Sequence, residues 1–320
     1  MAGQSSLSVA LAMVAGLLAG CDTASPPEDV VPPPDMRAAP AVPDLPLVTE
    51  PSAASRELAA HYARLQNQML TQNLLRSDGG GTDTPFTDTM LARNFVQIAL
   101  ATEYQDNSDF LVQRPSQSVL HRWDKPIRMN VVFSDTVPLA RRDQDRTSVS
   151  AFAARLSRLT GVPIRQSDDN ANFHVLFLDE DDRRGAAARL RALAPGISEA
   201  SLRGIVNLPR EQLCLVAAVF EPGRPVYAQA VVVIRAEHPS LIRTACIHEE
   251  LAQGMGLAND SDAARPSIFN DSEEFALLTR HDELLLRMLY DPRLQPGMDP
   301  AIATPIVRQI ARELLAQGSS

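Results

Sequence analysis

Nine of the chain's 24 prolines fall between Pro26 and Pro51. Proline fixes φ and lacks an amide donor, so a segment this rich in it forms neither helix nor central strand. Residues 22–51 therefore read as an extended, semi-rigid tether, and any folded core must come from the residues after Pro51. The tether separates two apolar regions of different character. Before it, Leu7–Ala19 is a run broken only by Ser8 and Gly16. That is shorter than the roughly 20 residues a membrane-spanning helix needs, but it suits the hydrophobic region of a signal peptide. Beyond it lie about 265 residues with periodic hydrophobicity, at a whole-chain composition of 45% hydrophobic and 22% charged residues.

The apolar run ends in Leu18-Ala19-Gly20-Cys21, which resembles the lipobox of bacterial lipoproteins. The resemblance implies that 1–21 is a signal peptide and that Cys21 is lipidated and anchors the chain to a membrane. It further implies that the domain faces the periplasm of the bacterial envelope. Asp22 in such a protein points to retention at the inner membrane. With Cys21 acylated, Cys214 and Cys246 remain. An oxidising compartment favours a disulfide between them; the alternative is two free buried thiols.

In the domain, the helical stripe Leu58, Tyr62, Leu65, Met69 and Leu74 predicts a helix over 52–76, within an N-terminal helical segment at 52–86. A second helix is expected over 87–104. Alternation at Ile127, Met129, Val131 and Phe133 predicts a strand, followed by a helix over 148–160 that Gly161 ends. A strand over 172–178 and a helix over 182–194 come next. Two apolar strands, 213–220 and 226–235, are joined by a Pro-Gly turn. Helices are then expected over 239–255, 279–290 and 300–317, with Thr279 and Asp282 forming a capping box. The fold class is α+β, with a small mixed sheet, and the main domain covers 87–320.

One stretch carries chemistry: Cys246-Ile247-His248-Glu249-Glu250-Leu251-Ala252-Gln253-Gly254-Met255-Gly256-Leu257-Ala258-Asn259-Asp260. A zinc-protease helix needs two ligands at i and i+4, which one turn brings to one face. Starting at His248 fails, because Ala252 stands four residues on. One residue later, Glu249 and Gln253 take the two ligand positions, Glu250 takes the general-base position, and Asn259 takes the third ligand position after Gly256. In this register the stretch resembles the metzincin pattern. Pro266–Asp271 is similar to the Met-turn of matrixin-type metzincins, with Phe269 in place of the methionine, and Phe275–Tyr290 is similar to the matrixin C-terminal helix. With its lipobox, the chain resembles the bacterial lipoprotein family known as domain of unknown function 2927, here a degenerate zincin-like (metzincin-like) domain with a motif helix and C-terminal helices. That family name implies no activity.

Glu, Gln and Asn in place of three imidazoles make a poor zinc set. The expectation is a non-catalytic pseudoenzyme, without cofactor, that binds a peptide or protein partner along the old cleft. The other reading is a metal-dependent, peptidase-like hydrolase, in which Glu249, Asn259 and Asp260 hold a hard cation and Glu250 is the general base. Asp271 could join such an oxygen set. A third account has Gln253 and Asn259 simply hydrogen-bonding the following loop to the helix. A formal net charge of −9 excludes nucleic acid as the natural partner. His281 is expected at the surface, and Arg183 on a solvated basic face with Arg184, Arg189 and Arg191. No nucleophile elbow or phosphate loop is present in the sequence.

Overall fold

The computed structural model describes residues 49–107 and 110–317. The expected signal peptide, Cys21, Asp22 and nearly all of the expected tether lie outside the described residues. Helix α1 (Ala53–Thr71) is capped by Ser52 and is followed by α2 (Asp88–Ala99), capped by Thr87. Strands β1 (Ala101–Asn107) and β2 (Phe110–Gln117) form an antiparallel hairpin separate from the main sheet. Next come β3 (Ile127–Phe133), α3 (Leu139–Thr160), β4 (Ile164–Gln166) and β5 (Phe173–Leu178). Three short helices, α4 (Glu180–Arg184), α5 (Ala187–Leu193) and α6 (Glu199–Val206), precede β6 (Cys214–Phe220) and β7 (Tyr227–Arg235). Helices α7 (Ser240–Gln253), α8 (Arg280–Leu289) and α9 (Pro300–Gln317) complete the domain.

The main sheet has the order β4-β3-β5-β7-β6. Its pairs are parallel except β6 with β7, so the sheet is mixed and β6 forms one edge. Every residue of β5 is buried, as expected where helices cover both faces of parallel strands. On one face Val175, Phe177, Val232 and Ile234 meet Phe152 and Leu156 of α3 and Ile247 and Leu251 of α7 in the main core. On the other, Leu176, Leu178, Val231 and Val233 meet Leu190, Leu202 and Ile205.

Several elements differ from the sequence expectation. The helix expected over 87–104 stops at Ala99, and its last residues enter β1. The hairpin carries polar residues outside the main sheet, so it lacks the alternation by which strands are recognised. Helix α3 starts nine residues before the expected 148, because its first turns bury an aspartate rather than an apolar stripe: Asp145 is 4% exposed and faces Arg141 and Arg243. The helix expected over 182–194 is two helices interrupted at Gly185. Arg183 is buried, its guanidinium on Glu180, so it is not part of a solvated face. His281 is likewise buried rather than at the surface, its ring bonded to the Asn94 amide.

Helix α1 packs directly on α7. Met69 and Leu75 contact Ile242, Ala245 and Ala276. Helix α7 begins after Pro239, which offers no side-chain cap. Gln66 of α1 supplies one: its Oε1 accepts from the amides of Leu241 and Ile242 at 3.0 and 3.2 Å. The N-terminal helical segment thus anchors the motif helix.

Candidate functional site: an acidic cleft

Helix α7 distributes its side chains by the helical period. His248 turns away from the cleft toward α3, where its ring stacks on Phe152 at 4.1 Å and Nδ1 accepts from the Leu278 amide at 3.0 Å. Burial holds its pKa down to about 3, so it stays neutral. Glu249, Glu250 and Gln253 face the other way, into a cleft of about 740 Å³. The register that begins at Glu249 is therefore the one that points at the cleft.

The turn after α7 has little freedom. Gly256 has φ +122, and a Cβ there would fall on the His121 carbonyl oxygen. A Cβ on Gly254 would lie 2.7 Å from the Phe173 ring. Trp123 Nε1 donates to the Gly254 carbonyl, and the Tyr290 hydroxyl donates to that of Met255, both at 2.8 Å. Only glycine fits at both positions, and the pinned turn delivers Asn259 and Asp260 beneath the cleft. Asn259 Nδ2 donates to the carbonyls of Gln97 and Asp260 at 2.9 and 2.6 Å. Gln253 Nε2 donates to Asp260 Oδ1 at 3.0 Å. Both amides thus tie the loop to its surroundings, in keeping with a purely structural role for them. Downstream, the Asp282 carboxylate accepts from Ser267 Oγ at 2.6 Å and from the Ile268 amide at 3.0 Å, which fixes the loop against α8.

One wall of the cleft is the edge strand β6, every residue of which lines it. Cys214 at its start is bonded to Cys246 of α7, with a Cα separation of 5.9 Å, the pairing expected in an oxidising compartment. The opposite side is formed by the base of the β1–β2 hairpin, including Glu103, and by the loop bearing Asp260, Asp271 and Glu273. Glu249, Glu250, Gln253, Gly256 and Asp260 all line the cleft. Asn259 is buried behind it, and Phe269 is fully enclosed in the main core. Glu103 and Glu273 complete the acidic lining and were not legible as site residues. Glu103 lies in a stretch with the look of a helix, whereas the acidic run Asp271-Ser272-Glu273-Glu274 was a signal present in the sequence.

No Lys or Arg lines the cleft among the described residues. Burial first, and then repulsion from Glu273, Asp260, Glu250 and Glu103, raises Glu249 well above the usual carboxylate range. Glu250 is raised well above it too, by burial and then by Glu103, Asp260 and Glu273, against one hydrogen bond from the Val216 amide. Burial, then Glu103 and Asp271, also lifts Asp260. Glu273 is pushed up to about 7, chiefly by burial and then by Asp271. These groups oppose one another's ionisation.

A zincin-type zinc does not fit this set. Two of its three ligand positions hold amides whose nitrogens are committed elsewhere, and the remaining one is a carboxylate. Cys214 Sγ lies near Glu249 and Glu250 but is half of a disulfide and offers no thiolate.

A family model described as "Protein of unknown function (DUF2927)" matches residues 88–309. No curated protein and no solved structure matches the chain. The matched span takes in both walls of the cleft and all of α7 and begins after α1, so the chain belongs to the DUF2927 family of proteins of unknown function.

Proposed function

We propose that this is a lipid-anchored protein of the bacterial envelope whose degenerate, zincin-like cleft binds an extended segment of a partner protein. Cys21 would carry the lipid, and residues 22–51 would hold the domain away from the membrane. Among the described residues no helix is long and apolar enough to cross a membrane.

The observation that carries the binding reading is that β6 is an edge strand along the cleft, paired on one side only among the described residues. In an antiparallel ladder, alternate residues point their N–H and C=O groups away from the partner strand. The Val216 amide does so, since it reaches Glu250 across from β7. Ala218, two residues on, then presents its N–H and C=O to the cleft in the same direction. An extended peptide would complete the ladder there by strand addition, with alternate side chains reaching the acidic floor. The hydrolase reading has less support. Two of the positions that would hold its metal are the neutral amides Gln253 and Asn259, which are weak ligands and tie the loop to its surroundings.

Selection of displayed random peptides against the full chain tests this, with Ala218→Pro as the counter-target. Proline on an edge strand removes the outward N–H and leaves the β7 ladder intact. The expected result is an enriched set of extended peptides that bind the wild type and not A218P. Absence of enrichment, or equal binding to A218P, refutes strand addition.

A further inference from the structure

Two buried carboxylates elsewhere in this protein are matched with arginine. Glu180 receives Arg183, Arg184 and Arg235, at 2.7, 2.6 and 2.9 Å. Asp145 lies between Arg141 and Arg243. The α7 side of the cleft has no such match among the described residues. Glu250 is 3% exposed and its Oε2 has no hydrogen-bond partner. Its neighbour Glu249 opens onto the cleft beside it, and no basic residue stands in the last turn of α7. Both carboxylates sit where the helix dipole is negative, a position that disfavours anions and favours cations. Folding has thus left negative charge at a helix C-terminus with no internal counter-ion.

We propose that Glu249 and Glu250 hold a hard, divalent cation of calcium size on the α7 side of the cleft. One carboxylate oxygen of each lies within 4.8 Å of the other. Calcium bonds oxygen at about 2.3–2.6 Å, so a single ion can span a pair that far apart. Magnesium, at about 2.0–2.1 Å and with strict octahedral demands, would need the pair drawn closer. Asp260 and Glu273 add negative charge from the loop side, and water completes the shell. The nearby Cys214 sulfur is a disulfide sulfur, so it adds no affinity for soft metals. A bound cation would also change what the cleft accepts: the floor would attract a carbonyl or carboxylate of the occupant. The cation site stands apart from the β6 reading, because it requires no peptide.

The test uses the full chain, stripped with EDTA and titrated with CaCl2, MgCl2 or ZnCl2 by calorimetry, with thermal melts in parallel. The expected result is one calcium per chain, weaker magnesium binding, and a melting temperature that climbs with calcium concentration. Glu249→Gln and Glu250→Gln should each weaken calcium by at least about tenfold. Glu274→Gln, whose carboxylate sits on Arg76 and Arg265 outside the cleft, should leave it unchanged. E250Q is expected to fold well without metal, so loss of binding in that variant reports on the ligand. No heat and no melting shift up to about 10 mM calcium, binding unaltered in E249Q and E250Q, or zinc binding more tightly than calcium would each overturn the proposal.

Discussion

Replacing Glu250 with glutamine should stabilise the metal-free protein, and more so as pH rises. Glu250 is 3% exposed, its Oε2 is unpartnered, and burial and then three carboxylates raise its pKa against the Val216 amide. A glutamine of the same shape keeps an oxygen for the Val216 amide and removes the charge. Leaving a buried polar group unsatisfied costs about 1–3 kcal/mol, more if it is charged. A gain near 2 kcal/mol at pH 8 corresponds to about 4 °C in Tm for a domain of this size. The pH dependence comes from the direction of the shift. A carboxyl whose folded pKa is raised contributes stability below the unfolded glutamate value of about 4.3 and loses it as pH climbs through the folded one. The Tm difference between E250Q and wild type should therefore be small at pH 5 and largest at pH 8. Titrations elsewhere, including those of His238 and His248, which burial holds near 3, cancel in that difference. Melts of both proteins in EDTA at pH 5, 6.5 and 8 measure it. A variant that melts below wild type at pH 8, or by the same offset at every pH, would refute the idea that uncompensated charge strains the cleft.

Two other substitutions probe the ends of the molecule's organisation. Cys214 and Cys246 are 32 residues apart, and loop-closure entropy assigns a bond of that span about 3–4 kcal/mol. C214S/C246S should lower the denaturation midpoint accordingly, and an unchanged midpoint would show that the bond contributes nothing. Cys21→Ala should move the full-length protein from the membrane fraction to the soluble one and abolish fatty-acid labelling. A variant that still sediments with membranes would remove the anchor reading.

Much of the site was legible because it is local. The one-residue shift from His248 to Glu249 came from the resemblance to the metzincin spacing, and the structure turns His248 away from the cleft. The α8 capping box was visible as Thr279 and Asp282. The hairpin β1–β2, the short strand β4 and helix α6 were missed, since their stability comes from docking rather than from their own periodicity. The first turns of α3 were missed for a related reason: a buried Asp145 between two arginines looks, in sequence, like an exposed charged stretch.

By itself the sequence determined the mixed α+β class, the place of the motif helix, although it ends at Gln253 with Gly254 as its cap rather than at Gly256, and the absence of imidazole from the i and i+4 positions at Glu249 and Gln253. Each depends on residues a few positions apart, where backbone geometry alone sets the outcome. Only the tertiary structure decided that Glu103 and Glu273 join Glu249, Glu250 and Asp260, that no arginine lines the cleft with them among the described residues, and that β6 is an edge strand facing it. Those facts concern groups up to 170 residues apart in sequence (Glu103 and Glu273). Desolvation and Coulomb repulsion depend on distance in space, and no periodicity along the chain encodes that distance.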